Sequence, residues 1–233
     1  MTVTVTREAE SQLELYGAYE GEVLGGALPR TWLTFTATAD YLIIAPKNNP
    51  TYAQLEAGSV PSSYIPTAGS TATRAAETLT VPAANLPYSA TAMSIHMAGR
   101  MTYADNSNAI EARFFWWRAD ASNYIFADYA TDGIYDRMKF QQGAGGVFDN
   151  KQSTSAPYSP GIAVPFNFAS RHGSTFVNGA VDGTALTADL TPTALPDLSA
   201  TDLTLGSTFN GYIDQFAVWS DDIGDTGIAE VST

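Results

Sequence analysis

Short runs of alternating apolar and polar residues recur roughly every 8–15 residues between Thr91 and Trp219, and each run ends in a Gly, Asn or Asp turn signal. That pattern constrains the fold more than any other feature. A period of two places successive side chains on opposite faces of a strand. No stretch in this region carries a convincing amphipathic-helix pattern. The expected class is therefore all-β, an antiparallel β-sandwich. Thr91–Tyr103 places Met93, Ile95, Met97 and Gly99 on one side and His96 and Arg100 on the other. Ile110–Ala119, Tyr124–Tyr129, Tyr135–Gln141, Pro165–Arg171, Asp202–Leu205 and Tyr212–Trp219 read as further strands, and Leu79–Val81 as a first short one. Asn178-Gly179 reads as a type I′ hairpin between Thr175–Val177 and Ala180–Val181, with Asp182-Gly183 as a second turn. Lys151–Pro165 reads as a long Pro/Ser-rich loop, and Ser220–Thr233 as a polar tail with a short helix near Ile228.

The first third reads as a smaller β module, residues 1–53. Thr2–Thr6 alternates Val with Thr and is expected as an edge strand paired to a partner chain. Glu8–Tyr19 fits a short helix or a strand. Arg30–Ala39, Tyr41–Ala45 and Tyr52–Glu56 read as strands, with a turn at Pro46–Pro50. Between this module and the larger domain, residues 78–233, lies Gln54–Glu77, QLEAGSVPSSYIPTAGSTATRAAE. Pro61 and Pro66 lack N–H donors and have fixed φ, so the segment is neither helix nor interior strand. It reads as an ordered strap anchored by Tyr64 and Ile65, with a flexible linker as the alternative.

This segment resembles the QLE-x-G-x-x-x-S-x-YIPT-x-G-x-x-x-TRAA tail of carbohydrate-binding-module-like domains in phage structural proteins and tail fibres. The order FASRHGSTFVNGAVDG, then LTLGSTFNGYIDQFAVWSDDI, resembles concanavalin-A and laminin-G-like jelly rolls over about Thr91–Ile223. The resemblances imply a concanavalin-A/laminin-G-like jelly roll carried by a virion spike, head fibre or tail fibre of a phage or a gene transfer agent. They imply a place on the virion surface, other virion proteins as partners, and attachment to host-surface polysaccharide. A purely architectural subunit without glycan binding is the alternative, and a polysaccharide-degrading enzyme a third reading.

Charge narrows the partners. With 11 basic against 24 acidic side chains the net charge is −13, which disfavours nucleic acid and anionic membrane because phosphate contacts need Lys and Arg. There is no cysteine, hence no disulfide or thiol nucleophile. No apolar run reaches transmembrane length, and MTVTVTREAE lacks the basic and apolar regions of a signal peptide. The paired-carboxylate spacing E-x-D-x-x-E of a jelly-roll glycosidase is absent, as are H-E-x-x-H, G-x-S-x-G and phosphate-loop motifs. His96 and His172 read as surface or half-buried residues. The expectation is a non-enzymatic protein.

The candidate binding residues are Arg113, Trp116, Trp117, Arg118, Tyr124, Tyr129 and Tyr135. Phe114, Phe115, Trp116 and Trp117 are consecutive, so strict alternation sends one pair inward and leaves the other for solvent, a partner chain or a sugar. Trp and Tyr offer flat apolar faces with polar edges, which suit sugar rings. The competing reading buries both faces. No cofactor is expected. The one cation the pattern accommodates is Ca²⁺ at Asp128, Asp132 and Asp136, with turn-capping aspartates as the alternative. Asp214 reads as structural. The small N-terminal module cannot bury Trp32, Leu42, Ile43 and Ile44 by itself, so a homo-oligomer is expected, a trimer favoured, with that module at the attachment end.

Overall fold

The computed structural model describes all residues except 1, 9–11, 20, 24–29, 48–51, 59, 74, 76, 104–110 and 131–135. The chain divides into two compact units, Met1–Ala76 and Glu77–Thr233.

The first unit holds β1 (Thr2–Glu8), β2 (Gln12–Gly17), β3 (Gly21–Val23), β4 (Arg30–Thr36), β5 (Leu42–Lys47) and β6 (Ala53–Ala57). They form two three-stranded sheets, β4-β1-β6 and β3-β2-β5, all pairs antiparallel. The open choice at Glu8–Tyr19 resolves as strand β2. Val3, Val5, Leu13, Leu15, Ala18 and Phe35 make the core, so alternation in β1 and β2 supplies one apolar side to each sheet. β1 is not the expected edge strand: β4 and β6 pair with it on both sides. Thr4 and Thr6, on its other face, are buried as well, and Thr4 Oγ1 donates to the Gly58 carbonyl (2.8 Å).

The strap explains that burial. Gln54 and Glu56 stand in register with Thr6 and Thr4. The Gln54 side chain accepts from the Ile65 N–H (2.7 Å) and donates to the Ser63 carbonyl (3.4 Å). Both Glu56 carboxylate oxygens accept from the Ser62 N–H (3.1 Å each). Tyr64 packs against Tyr52 with ring centres 4.4 Å apart. The Q-x-E and S-x-Y-I portions of the segment are thus two halves of one hydrogen-bonded clamp that replaces a missing strand ladder. Tyr41, Ile43, Leu55 and Tyr64 remain exposed.

The second unit contains β7 (Leu79–Val81), β8 (Ala92–Tyr103), β9 (Glu111–Arg118), β10 (Tyr124–Ala130), β11 (Arg137–Ala144), β12 (Val147–Gln152), β13 (Gly161–Gly173), β14 (Val177–Val181), β15 (Thr184–Ala185), β16 (Leu203–Leu205), β17 (Gly211–Trp219) and α1 (Gly224–Val231). It is an antiparallel jelly roll of two sheets, β12-β11-β10-β9-β16-β7 and β15-β14-β13-β8-β17. Met93, Ile95, Met97 and Met101 of β8, with Phe166 and Phe168 of the neighbouring β13, meet Phe114, Phe115 and Trp117 of β9 in one continuous core. Non-local pairing dominates, and Phe, Tyr and Trp side chains stand among the buried residues of this core.

The Asn178-Gly179 pair does not turn the chain. Val177–Val181 runs straight through it as β14, and the turn lies at Asp182 (φ 45°) and Gly183 (φ 78°). A Cβ on Gly179 would sit 2.0 Å from the Phe140 ring, so glycine is there to admit that ring rather than to reverse the chain. Asn178 donates to the Leu186 carbonyl (2.9 Å) and to Asp225 Oδ1 (2.6 Å). The helix near Ile228 is present as α1. It lies on the outer face of the five-stranded sheet, where Ile228 meets Ala169 and Ala180 and Arg171 pairs with Asp222 (2.7 Å) and Asp225 (2.8 Å).

Candidate functional face of the six-stranded sheet

A β-bulge decides which aromatics reach the outside. β9 and β10 pair in register from Tyr124↔Arg118 to Ala127↔Phe115, then slip so that Asp128 opposes Arg113. Phe114 is the extra residue. A bulge lets two neighbouring side chains leave on the same side. Phe114, Phe115 and Trp117 are all fully buried, and only Trp116 of the four faces outward, half-buried. This corrects the expected two-and-two split. The bulge is tied from outside: the Arg113 N–H donates to Thr208 Oγ1 (2.9 Å) and the Phe114 carbonyl accepts from the Gly206 N–H (2.7 Å).

Trp117 lies edge-on to Tyr88 and donates its indole N–H to the Thr201 carbonyl (2.8 Å). Tyr129 is equally buried, edge-on to Tyr103, its hydroxyl donating to the Tyr158 carbonyl (3.1 Å). Neither reaches a surface, so both leave the set of binding candidates. Their backbones alternate with outward residues, but the ladder phase puts them in the core. Tyr135 lies outside the described residues.

Arg113, Trp116, Arg118 and Tyr124 share the outer face with Asp128, and with Phe126, Lys139 and Gln141, which the sequence reading passed over. The ladder fixes this. Trp116 stands opposite Phe126, Arg118 opposite Tyr124, and Phe126 and Asp128 opposite Gln141 and Lys139. The Arg113 guanidinium lies 4.2 Å from the Trp116 ring centre and 4.4 Å from that of Phe126. Arg118 lies 4.6 Å over Trp116, and the Lys139 ammonium 5.1 Å over Phe126. Such stacking holds a cation at a ring face through the ring quadrupole. Tyr124 stacks on Phe126 at 5.6 Å and accepts from Gln141 Nε2 (2.7 Å). Gly143 lies under the Tyr124 ring, where a Cβ would come within 2.7 Å.

Arg113 is pinned in this stack. Its Nε donates to Asp128 Oδ1 (2.7 Å) and its Nη2 to Asp128 Oδ2 (2.9 Å), the two-pronged geometry that guanidinium and carboxylate share. Asp128 is thereby committed to a cation of the chain itself, which removes it as a calcium ligand. Asp132 lies outside the described residues. Among the described residues no three metal-ligating side chains come together.

The histidines sit away from this face. His96 is buried on the other sheet, 2.8 Å from Asn167 Oδ1. His172 is fully buried beside Ser170 Oγ (3.1 Å), and loss of hydration pushes its pKa down to about 3. Both are more deeply enclosed than expected of surface residues. Asp214 is exposed at the bulge of β17. Among the described residues no helix is long and apolar enough to cross a membrane.

No known protein family matches the sequence, and no curated protein matches it. In three dimensions the chain is similar to the CBM40 module of Ruminococcus gnavus IT-sialidase bound to alpha2,3 sialyllactose, at 14% identity and TM-score 0.48, covering 62% of this chain and 84% of that one. It is also similar to toad ovary galectin in complex with thio-digalactose (11% identity, TM-score 0.42, 62% and 100% covered). Xenopus laevis galectin-Ib matches at 11% identity and TM-score 0.41, with 61% and 100% covered.

Proposed function

We propose that this protein is a non-enzymatic, lectin-like module that holds polysaccharide on the outer face of its six-stranded sheet. The observation that carries the reading is the stack of Trp116 and Phe126 with Arg113, Arg118 and Lys139, bordered by Tyr124 and Gln141. The half-buried Trp116 and Tyr124 lie there beside the exposed Arg118 and the half-buried Lys139, with Phe126 and Gln141 buried beneath them. A sugar offers C–H surface and oxygens to such rings and donors. α1 roofs the opposite sheet, not this one. The Trp116 indole N–H is buried and has no hydrogen-bond acceptor among the described residues.

The setting we propose is the surface of a phage or phage-like particle, as a spike or fibre subunit that attaches to host polysaccharide. The wording of the strap supports it. So does the first unit, which leaves Tyr41, Ile43 and Leu55 exposed and suited to contact with other subunits, in a homo-oligomer or with other virion proteins.

The test is an array of host-surface polysaccharides probed with the intact chain and with Trp116→Ala. The reading expects binding by the intact chain and its loss in the variant, with the melting temperature lowered by no more than about 2–4 °C. Binding that is identical in the two proteins sinks it.

A further inference from the structure

The outer face of β9 to β11 concentrates a charge that the chain is otherwise short of. Of 11 basic residues, Arg113 and Arg118 stand on β9 and Arg137 and Lys139 on β11, all at outward positions, in a protein with 24 acidic ones. Among the described side chains, Asp128 is the acidic one at an outward position in these ladders, and it is taken by Arg113. Among the described residues, Arg118 and Lys139 form no salt bridge. Arg118 donates from Nε to the Asp120 carbonyl (2.9 Å), not to its carboxylate. That carboxylate accepts from the Ser122 N–H (2.7 Å) and the Asn123 amide (3.1 Å).

These two cations lie on aromatic rings. Among the described residues the only carboxylate whose charge Arg118 is seen to influence, that of Asp120, is engaged by Ser122 and Asn123 rather than by a salt bridge. The rings hold them in place at the face, so an incoming anion meets cations that are already positioned. Arg113 and Arg118 both lie over the half-buried Trp116 ring, so a ligand there meets guanidinium donors held at the indole. Planar guanidinium donors match carboxylate and sulfate oxygens. The net charge of −13 repels polyanions at long range, but at about 0.1 M salt the Debye length is only about 10 Å, so the local cations govern contact.

We infer that the ligand of this face is an acidic polysaccharide, with Arg118 and Lys139 reading its carboxylate or sulfate groups. This rests on the glycan-binding reading above and names the ligand class.

The experiment measures retardation of the intact chain in gels cast with alginate (carboxylated), heparin (sulfated), dextran (neutral) or inorganic polyphosphate (charge without sugar). Retardation by alginate or heparin, none by dextran, and less by polyphosphate is expected. Arg118→Ala and Lys139→Ala should each weaken it about twofold to fivefold, the range of a solvent-accessible ion pair. Lys47→Ala, in the first unit, should leave it unchanged. Salt near 1 M, where the Debye length is about 3 Å, should abolish it. Retardation by dextran alone overturns the acidic-ligand inference and leaves glycan binding standing. Alginate or heparin binding that survives both substitutions overturns the assignment of Arg118 and Lys139. Equal retardation by polyphosphate, unaffected by Trp116→Ala, makes the face a general polyanion patch and overturns the saccharide. No retardation by any polysaccharide overturns both readings.

Discussion

Arg113 and Asp128 meet at the point where the ladder between β9 and β10 loses its register, joined by two hydrogen bonds of 2.7 and 2.9 Å. The bulge brings Arg113 opposite Asp128 and turns Phe114 inward. The pair then props the Arg113 guanidinium between the Trp116 and Phe126 rings. One local slip thereby completes the core on one side of the sheet and assembles the candidate site on the other.

The pair is nearly dry, with 14% of the Arg113 and 1% of the Asp128 side chain exposed. Removing one partner of such a pair strands the other charge. Asp128→Ala should lower stability by about 3 kcal/mol. That is a drop in melting temperature of roughly 6–12 °C for a domain of this size. Differential scanning calorimetry checks it, and a drop under about 2 °C would mean the pair contributes only as a surface ion pair does.

Trp116 and Trp117 should behave as opposites. Trp117→Ala empties a fully buried site and removes an indole hydrogen bond, at a cost of about 3–5 kcal/mol. Trp116→Ala loses partial burial and two stacked guanidinium groups, at about 1 kcal/mol. Urea denaturation of the two variants measures the difference. Equal destabilisation would refute the bulged phase of β9.

Acid should weaken the second unit through His172. Its folded pKa of about 3 lies below the ordinary value of 6.5, because burial penalises the charged ring. The unfolded chain therefore binds the proton first as pH falls. The stability is intact above about pH 6.5 and is lost towards pH 3, by about 1.4 kcal/mol per pH unit from this one group. His172→Gln should flatten stability against pH in that window relative to wild type. Parallel curves for the two proteins would show that carboxylates alone set the acid limb.

The strap clamp should open without unfolding the second unit. Gln54→Ala removes the acceptor of the Ile65 N–H and the donor to the Ser63 carbonyl. A buried amide left unpaired costs about 1–3 kcal/mol. Chymotrypsin should then cut after Tyr64 faster than in wild type, while the melting of the second unit is unchanged. Unaltered cleavage at Tyr64 would mean that the side-chain clamp does not hold the strap.

Alternation along the chain was enough to specify an all-β fold and to place Met93, Ile95 and Met97 inside, because a period of two in β8 leaves only one apolar side to bury. It also marked Arg113, Trp116, Arg118 and Tyr124 as candidates for one surface. Tertiary structure alone decided the rest. The inward turn of Phe114 depends on a bulge whose partner, Asp128, lies on the next strand, and a period counted along β9 cannot register a slip against β10. Phe126, Lys139 and Gln141 join the site through cross-strand register, which has no local sequence signature. Asn178-Gly179 carries a strong hairpin signal and still runs straight, because the space Gly179 leaves is filled by Phe140 from the opposite sheet. Local propensity offers a turn there, and the packing of two sheets overrides it.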